Sequence, residues 1–145
     1  MFIGILLIIL VASPIAVAAL SLTTWSAKVA TVSNLISGIT CFSCGVLLVI
    51  ANAISPNEHV FLGKYIMTDH LSAWVLLCTG TVYALASIYS IGYIKHYKEE
   101  KRLPLYYSLL AGFALVMILG AIMNNLILYW ISIDFTTIVL SLIHI

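Results

Sequence analysis

Residues 124–145 read NNLILYWISIDFTTIVLSLIHI, an apolar run with one acid, Asp134, at its middle. About 20 apolar residues in helical form span the hydrocarbon core of a bilayer, so the run predicts a transmembrane helix. A charged side chain at the centre of such a helix costs about 2.5–3.5 kcal/mol on insertion scales and calls for a partner, a proton or a task. At roughly 100° per residue, Trp130, Asp134, Thr137, Ser141 and His144 fall within one narrow arc. The predicted helix therefore carries a polar stripe headed by the acid, a face suited to water or ions.

Outward from this run, four more stretches reach spanning length: 2–22, 28–54, 71–94 and 104–123. The chain is 63% hydrophobic and only 8% charged, which lies outside the range of soluble domains. The expected fold class is an all-α membrane protein, one transmembrane domain built as a bundle of about five helices. The first stretch lacks the basic start of a signal peptide and reads as an uncleaved first span. A net charge of +1 gives bulk electrostatics no reason to seek nucleic acid. Its distribution is more telling. Lys95, Lys98, Lys101 and Arg102 lie between the third and fourth spans and Lys28 borders the first turn, whereas Lys64 stands alone on the other side. The positive-inside rule then places the N-terminus and the 55–70 loop outside. The basic loop also holds Glu99 and Glu100 and reads as a solvated, orienting segment.

Small residues mark how the helices meet. Ser33, Ser37, Cys41 and Gly45 recur every fourth position in the second span, a ladder that lets a neighbour approach closely. Gly80 with Ala84, and Ser108 with Gly112, read the same way. Pro14 removes a backbone hydrogen bond within the first span. Val60, Phe61 and Leu62 precede Gly63-Lys64, and Tyr65, Ile66 and Met67 follow it, which predicts a short β-hairpin in the outer loop. Only Asn124 and Asn125 separate the last two spans, so those helices must pack as an antiparallel pair.

Other chemistry is sparse. Cys41 and Cys44 form a CxxC pair inside a membrane helix, where packing is the plainer role, and no second pair completes a metal site. His59, His70, His96 and His144 have no helical ligand spacing. Tyr83, Ser87 and Ser90 form a mild polar face suited to hydrogen bonding between helices. No phosphate loop, paired carboxylates or Ser/His/Asp set is visible, and neither metal nor cofactor is expected within the chain. Asp134 is the principal candidate, a protonatable relay, with Thr137 and Ser141 holding water beside it.

The segments Thr68-Asp69-His70-Leu71-Ser72-Ala73-Trp74, Ile88-Tyr89-Ser90-Ile91-Gly92-Tyr93, Asn124-Asn125-Leu126 and Trp130-Ile131-Ser132-Ile133-Asp134-Phe135-Thr136-Thr137 resemble the antiporter-like subunits of respiratory complex I and their relatives, the Mrp-type cation/proton antiporters and the membrane arms of group 4 hydrogenases. The last segment is most similar to the hydrogenase-4 and formate hydrogenlyase type, whose pattern runs Trp, three residues, an acid, one residue, Thr-Thr. The resemblance implies a subunit of about fourteen spans, of which this sequence is the front part. It implies that the acid of the fifth span pairs with a Lys on a broken seventh span, which would lie beyond residue 145. The family usually carries Glu where this chain has Asp134.

The expected role is that of a non-catalytic membrane-arm subunit in a redox-driven complex of a prokaryotic plasma membrane. It would translocate protons or Na⁺ together with other membrane subunits. The alternatives are a structural or assembly protein that keeps the first five helices without transporting, and part of an Mrp-type antiporter.

Overall fold

The computed structural model describes residues 1–55, 59–61, 63–96 and 102–144. Five helices account for most of them: α1 (Phe2–Thr24), α2 (Ala27–Ile54), α3 (His70–Ile94), α4 (Leu103–Ile122) and α5 (Leu126–His144). Strands β1 (His59–Phe61) and β2 (Ile66–Thr68) lie between α2 and α3. Each helix covers one of the five apolar stretches and is long and apolar enough to cross a membrane, the architecture of a multi-pass membrane protein. Lys98, Lys101, Glu99 and Glu100 of the basic loop, and Leu62 of the hairpin, lie outside the described residues.

Helices α1 to α4 form the packed body. α1 contacts both α2 and α4, α2 pairs with α3, and α5 rests chiefly against α4. The buried positions follow a seven-residue repeat: Ile3, Leu7, Leu10, Pro14, Val17 and Ser21 on α1, and Tyr107, Ala111, Ala114 and Ile118 on α4. On α2 the seam runs through Ala30, Asn34, Ser37, Cys41, Cys44 and Leu48, facing Ala73, Leu76, Tyr83, Ser87 and Ser90 of α3. Alternating steps of three and four keep a seam on one side of a helix, as in a coiled coil. Steps of four alone drift by about 40° each. For that reason the four-step ladder read from the sequence departs from the seam at one end. Ser37, Cys41 and Gly45 are buried, but Ser33 is only half-buried and Asn34 takes its place.

Backbones touch where α2 crosses α3. A Cβ at Gly80 would stand 2.9 Å from the Cys41 carbonyl oxygen, and one at Gly45 would stand 2.9 Å from Leu77 Cα. Gly38 meets Ala84 Cα at 3.1 Å in the same sense. Gly112 on α4 differs from the sequence reading, because nothing lies within 4 Å of where its Cβ would be. Its companion Ser108 does face a neighbour, with its hydroxyl 3.5 Å from the Ala18 carbonyl of α1.

The predicted hairpin is present. β1 and β2 pair antiparallel, with Val60 opposite Met67 and Phe61 opposite Ile66. Gly63 and Lys64 both adopt positive φ in the turn, at 62° and 78°. The hairpin is fastened to the α4–α5 turn: Asn124 N–H donates to the Tyr65 carbonyl at 2.8 Å, Asn124 Nδ2 donates to the Lys64 carbonyl at 3.0 Å, and Ile66 forms a bridge with Met123. That turn comprises three residues, because α4 ends at Ile122 and α5 begins at Leu126. Asp69 then caps α3, accepting the Ser72 N–H at 2.8 Å. This hydrogen bond holds the Asp69 carboxyl below the usual carboxylate range. At the opposite, basic end, Trp25, Tyr89 and Tyr93 are exposed near Lys28 and Lys95, in the manner of an interfacial aromatic belt.

Candidate functional site

Asp134 stands near the midpoint of α5, roughly 12 Å along the axis from Leu126 at about 1.5 Å per residue. The helix has no fully buried residue. Its partly buried positions, Leu128, Ser132, Thr136, Val139 and Ile143, form one stripe. Ser132 Cβ lies 3.5 Å from the Cβ position of Gly120, which identifies this stripe as the side that meets α4. Trp130, Asp134, Thr137, Ser141 and His144 are all exposed and lie on the opposite side. The structure therefore keeps the predicted stripe together and turns it away from the rest of the bundle. Among the described residues, the Asp134 carboxylate has no hydrogen bond or ion pair.

The two flanking hydroxyls differ in what they can offer. Thr137 Oγ1 donates to the Ile133 carbonyl at 3.2 Å, so its proton is used within the helix and its lone pairs remain for an incoming donor. Ser141 has no such bond among the described residues and can donate or accept. A covering group would thus meet a carboxylate, an acceptor and an adaptable hydroxyl in a line along one face.

A second polar constellation lies inside the bundle. Tyr83 Oη donates to Asn34 Oδ1 at 2.6 Å, Asn34 Nδ2 donates to Ser87 Oγ at 3.0 Å, and Ser87 Oγ donates to the Tyr83 carbonyl at 2.8 Å. The polar face of α3 thus hydrogen-bonds across to α2, as the sequence suggested. Asn34 was not singled out there, although an amide within an apolar span is itself a signal that a polar partner is near. One level further in, Ser13 Oγ and Cys41 Sγ are 3.3 Å apart. The Cys41 thiol also points at the Leu10 carbonyl, 4.0 Å away. Leu10 lies four residues before Pro14, so the proline withholds the N–H that would otherwise serve this carbonyl, and the thiol occupies its place. Cys41 and Cys44 are buried free thiols. Among the described residues, no group of three or more His, Cys, Asp or Glu is placed to hold a metal.

Compared with models of known protein families, with curated proteins and with solved structures, the chain matches none.

Proposed function

We propose that this chain is a membrane-arm subunit of a redox-driven, ion-translocating complex in a prokaryotic plasma membrane, in which Asp134 relays protons or Na⁺ at mid-membrane. The observation that carries the reading is Asp134's position. It is an acid halfway along a membrane-spanning helix, on a polar face that the described helices leave uncovered. The resemblance of residues 130–137 to the hydrogenase-4 type supports the same reading. A carboxylate cannot face lipid at that depth without a cost of about 2.5–3.5 kcal/mol, so the stripe calls for a covering helix or subunit. The carboxyl would be shut off from water while the face is covered, and reached by water or a cation while the cover is drawn aside. Thr137 and Ser141 would keep water in reach. Movement of the covering element would then alternate the two states, driven by electron transfer in the soluble subunits.

The test is Asp134→Asn in the assembled native complex. We expect electron transfer to continue, the complex to assemble, and coupled ion transport to be lost. Transport that survives unchanged would overturn the proposal. A fall in the amount of complex, with transport per complex unaltered, would assign the stripe to assembly.

A further inference from the structure

Little along the length of α5 fixes how far it is turned about its own axis. None of its residues is fully buried, and it packs chiefly on α4. Thr136 and Thr137 spend their hydroxyl protons within the helix, and among the described residues no side-chain hydrogen bond joins α5 to α4. Apolar side chains are exposed on both flanks of the Asp134 stripe, Ile131, Phe135 and Leu142 on one and Ile133 and Leu140 on the other. Lipid accepts either flank, so hydrophobicity does not choose the rotation; packing and end anchors do. A slip of one residue would turn the helix by about 100° and carry Asp134 from the outward face to a flank.

The lateral anchor is slight: Ser132 Cβ meets the Cβ position of Gly120 at 3.5 Å, an ordinary van der Waals contact. The anchor at the end is specific. Asn124 donates its N–H to the Tyr65 carbonyl and its Nδ2 to the Lys64 carbonyl, at 2.8 and 3.0 Å. The next residue is already built into α5, for the Asn125 carbonyl accepts the Tyr129 N–H at 2.9 Å and Asn125 Oδ1 accepts the Ile127 N–H at 3.0 Å. No residue intervenes between the tie to the hairpin and the first turn of the helix. The hairpin in turn is rooted in the packed body, since Thr68 at the end of β2 is fully buried and Asp69 caps α3. α5 is thereby referenced to α3, although its packing is chiefly with α4. From Asn125 to Asp134 runs roughly 13 Å of continuous helix, hydrogen-bonded turn to turn, so a rotation set at its start is carried to the acid.

We propose that Asn124 is a positioning residue: by tying the α4–α5 turn to the hairpin it sets the rotation of α5, and with it the direction in which Asp134 faces. Rotation is set in this way whatever Asp134 does; a consequence for transport rests on the ion-relay reading.

Gly120→Cys with Ser132→Cys places two thiols on Cβ positions 3.5 Å apart, within disulfide range. Gly120→Cys with Ile131→Cys, or with Ile133→Cys, reports a helix turned by about 100° in one sense or the other. The full chain in its native membrane is oxidised with copper phenanthroline, and the intrachain disulfides are mapped by mass spectrometry. The disulfide between positions 120 and 132 should form several-fold faster than the other two. Adding Asn124→Ala should lower that preference several-fold. Gly63→Val, whose side chain the positive φ of 62° does not accommodate, should do the same from the hairpin side with the α4–α5 turn untouched. A preference that stays parental in either variant overturns the proposal, and so does an equal fall in all three disulfides, which marks lost stability without turning. Transport per assembled complex, measured in the Asn124→Ala chain without the added cysteines, tests the relay separately. A lowered preference with unaltered transport upholds the rotation and counts against the relay.

Discussion

The α2–α3 pair and α5 are both apolar helical surfaces in one membrane domain, and they are finished to different degrees. Between α2 and α3, glycines bring backbones into contact, and Asn34 is hydrogen-bonded to both Tyr83 and Ser87. On α5 nothing is fully buried; Ser132 and Thr136 lie on the side that meets α4, while Asp134, Thr137 and Ser141 point outward. In lipid there is no hydrophobic drive to press helices together, so association comes from close packing and hydrogen bonds. By that measure α2 and α3 form a closely packed interface, whereas the outer face of α5 is left exposed by the described helices.

The strongest way to break this contrast is Gly80→Leu. Its side chain would start 2.9 Å from a backbone carbonyl, and overpacking of this kind costs about 1–3 kcal/mol or more. Unfolding in mixed micelles by increasing SDS should show a large loss of stability. Gly112→Leu, with open space around it, should show little change. Asn34→Leu comes next, since it leaves the Tyr83 hydroxyl and Ser87 without their shared partner. A loss of about 1–2 kcal/mol is expected in the same assay. Asp69→Ala removes the α3 cap and should cost about 1 kcal/mol. Because the folded Asp69 carboxyl lies below its unfolded value, its contribution is fully present above about pH 4 and is lost as pH falls through the folded value. The variant should therefore lose less stability on acidification than the parent. Smallest of all, Thr137→Ala with Ser141→Ala should leave SDS stability within about 0.5 kcal/mol, because the pair touches nothing in the packed body. A large loss there would show that the α5 face is already in use within the chain.

The sequence made the five helices legible because composition and length alone decide a membrane span. The hairpin was legible too, since two short apolar runs flank Gly63-Lys64. Packing was legible only in part. A ladder of every fourth residue identified Ser37, Cys41 and Gly45, but the drift of a 3.6-residue helix moved the seam to Asn34, and no spacing rule could show that Gly112 faces open space. The arc holding Asp134, Thr137 and Ser141 followed from 100° per residue. Which way the arc points did not, because that depends on which side of α5 meets α4, a tertiary choice set by Gly120 and Ser132.

The clasp between the hairpin and the α4–α5 turn bears on biosynthesis. Asn124 and Lys64 are 60 residues apart in the chain, and their hydrogen bond can form only when both are on the same side of the membrane. The hairpin is synthesised first and waits. α3 must then cross in one direction and α4 return before Met123 and Asn124 reach it. A chain in which α4 failed to insert would deliver the turn to the wrong compartment and leave the hairpin's edge unclosed. The clasp therefore closes only on correctly threaded molecules, a topological checkpoint made of two backbone carbonyls and one asparagine.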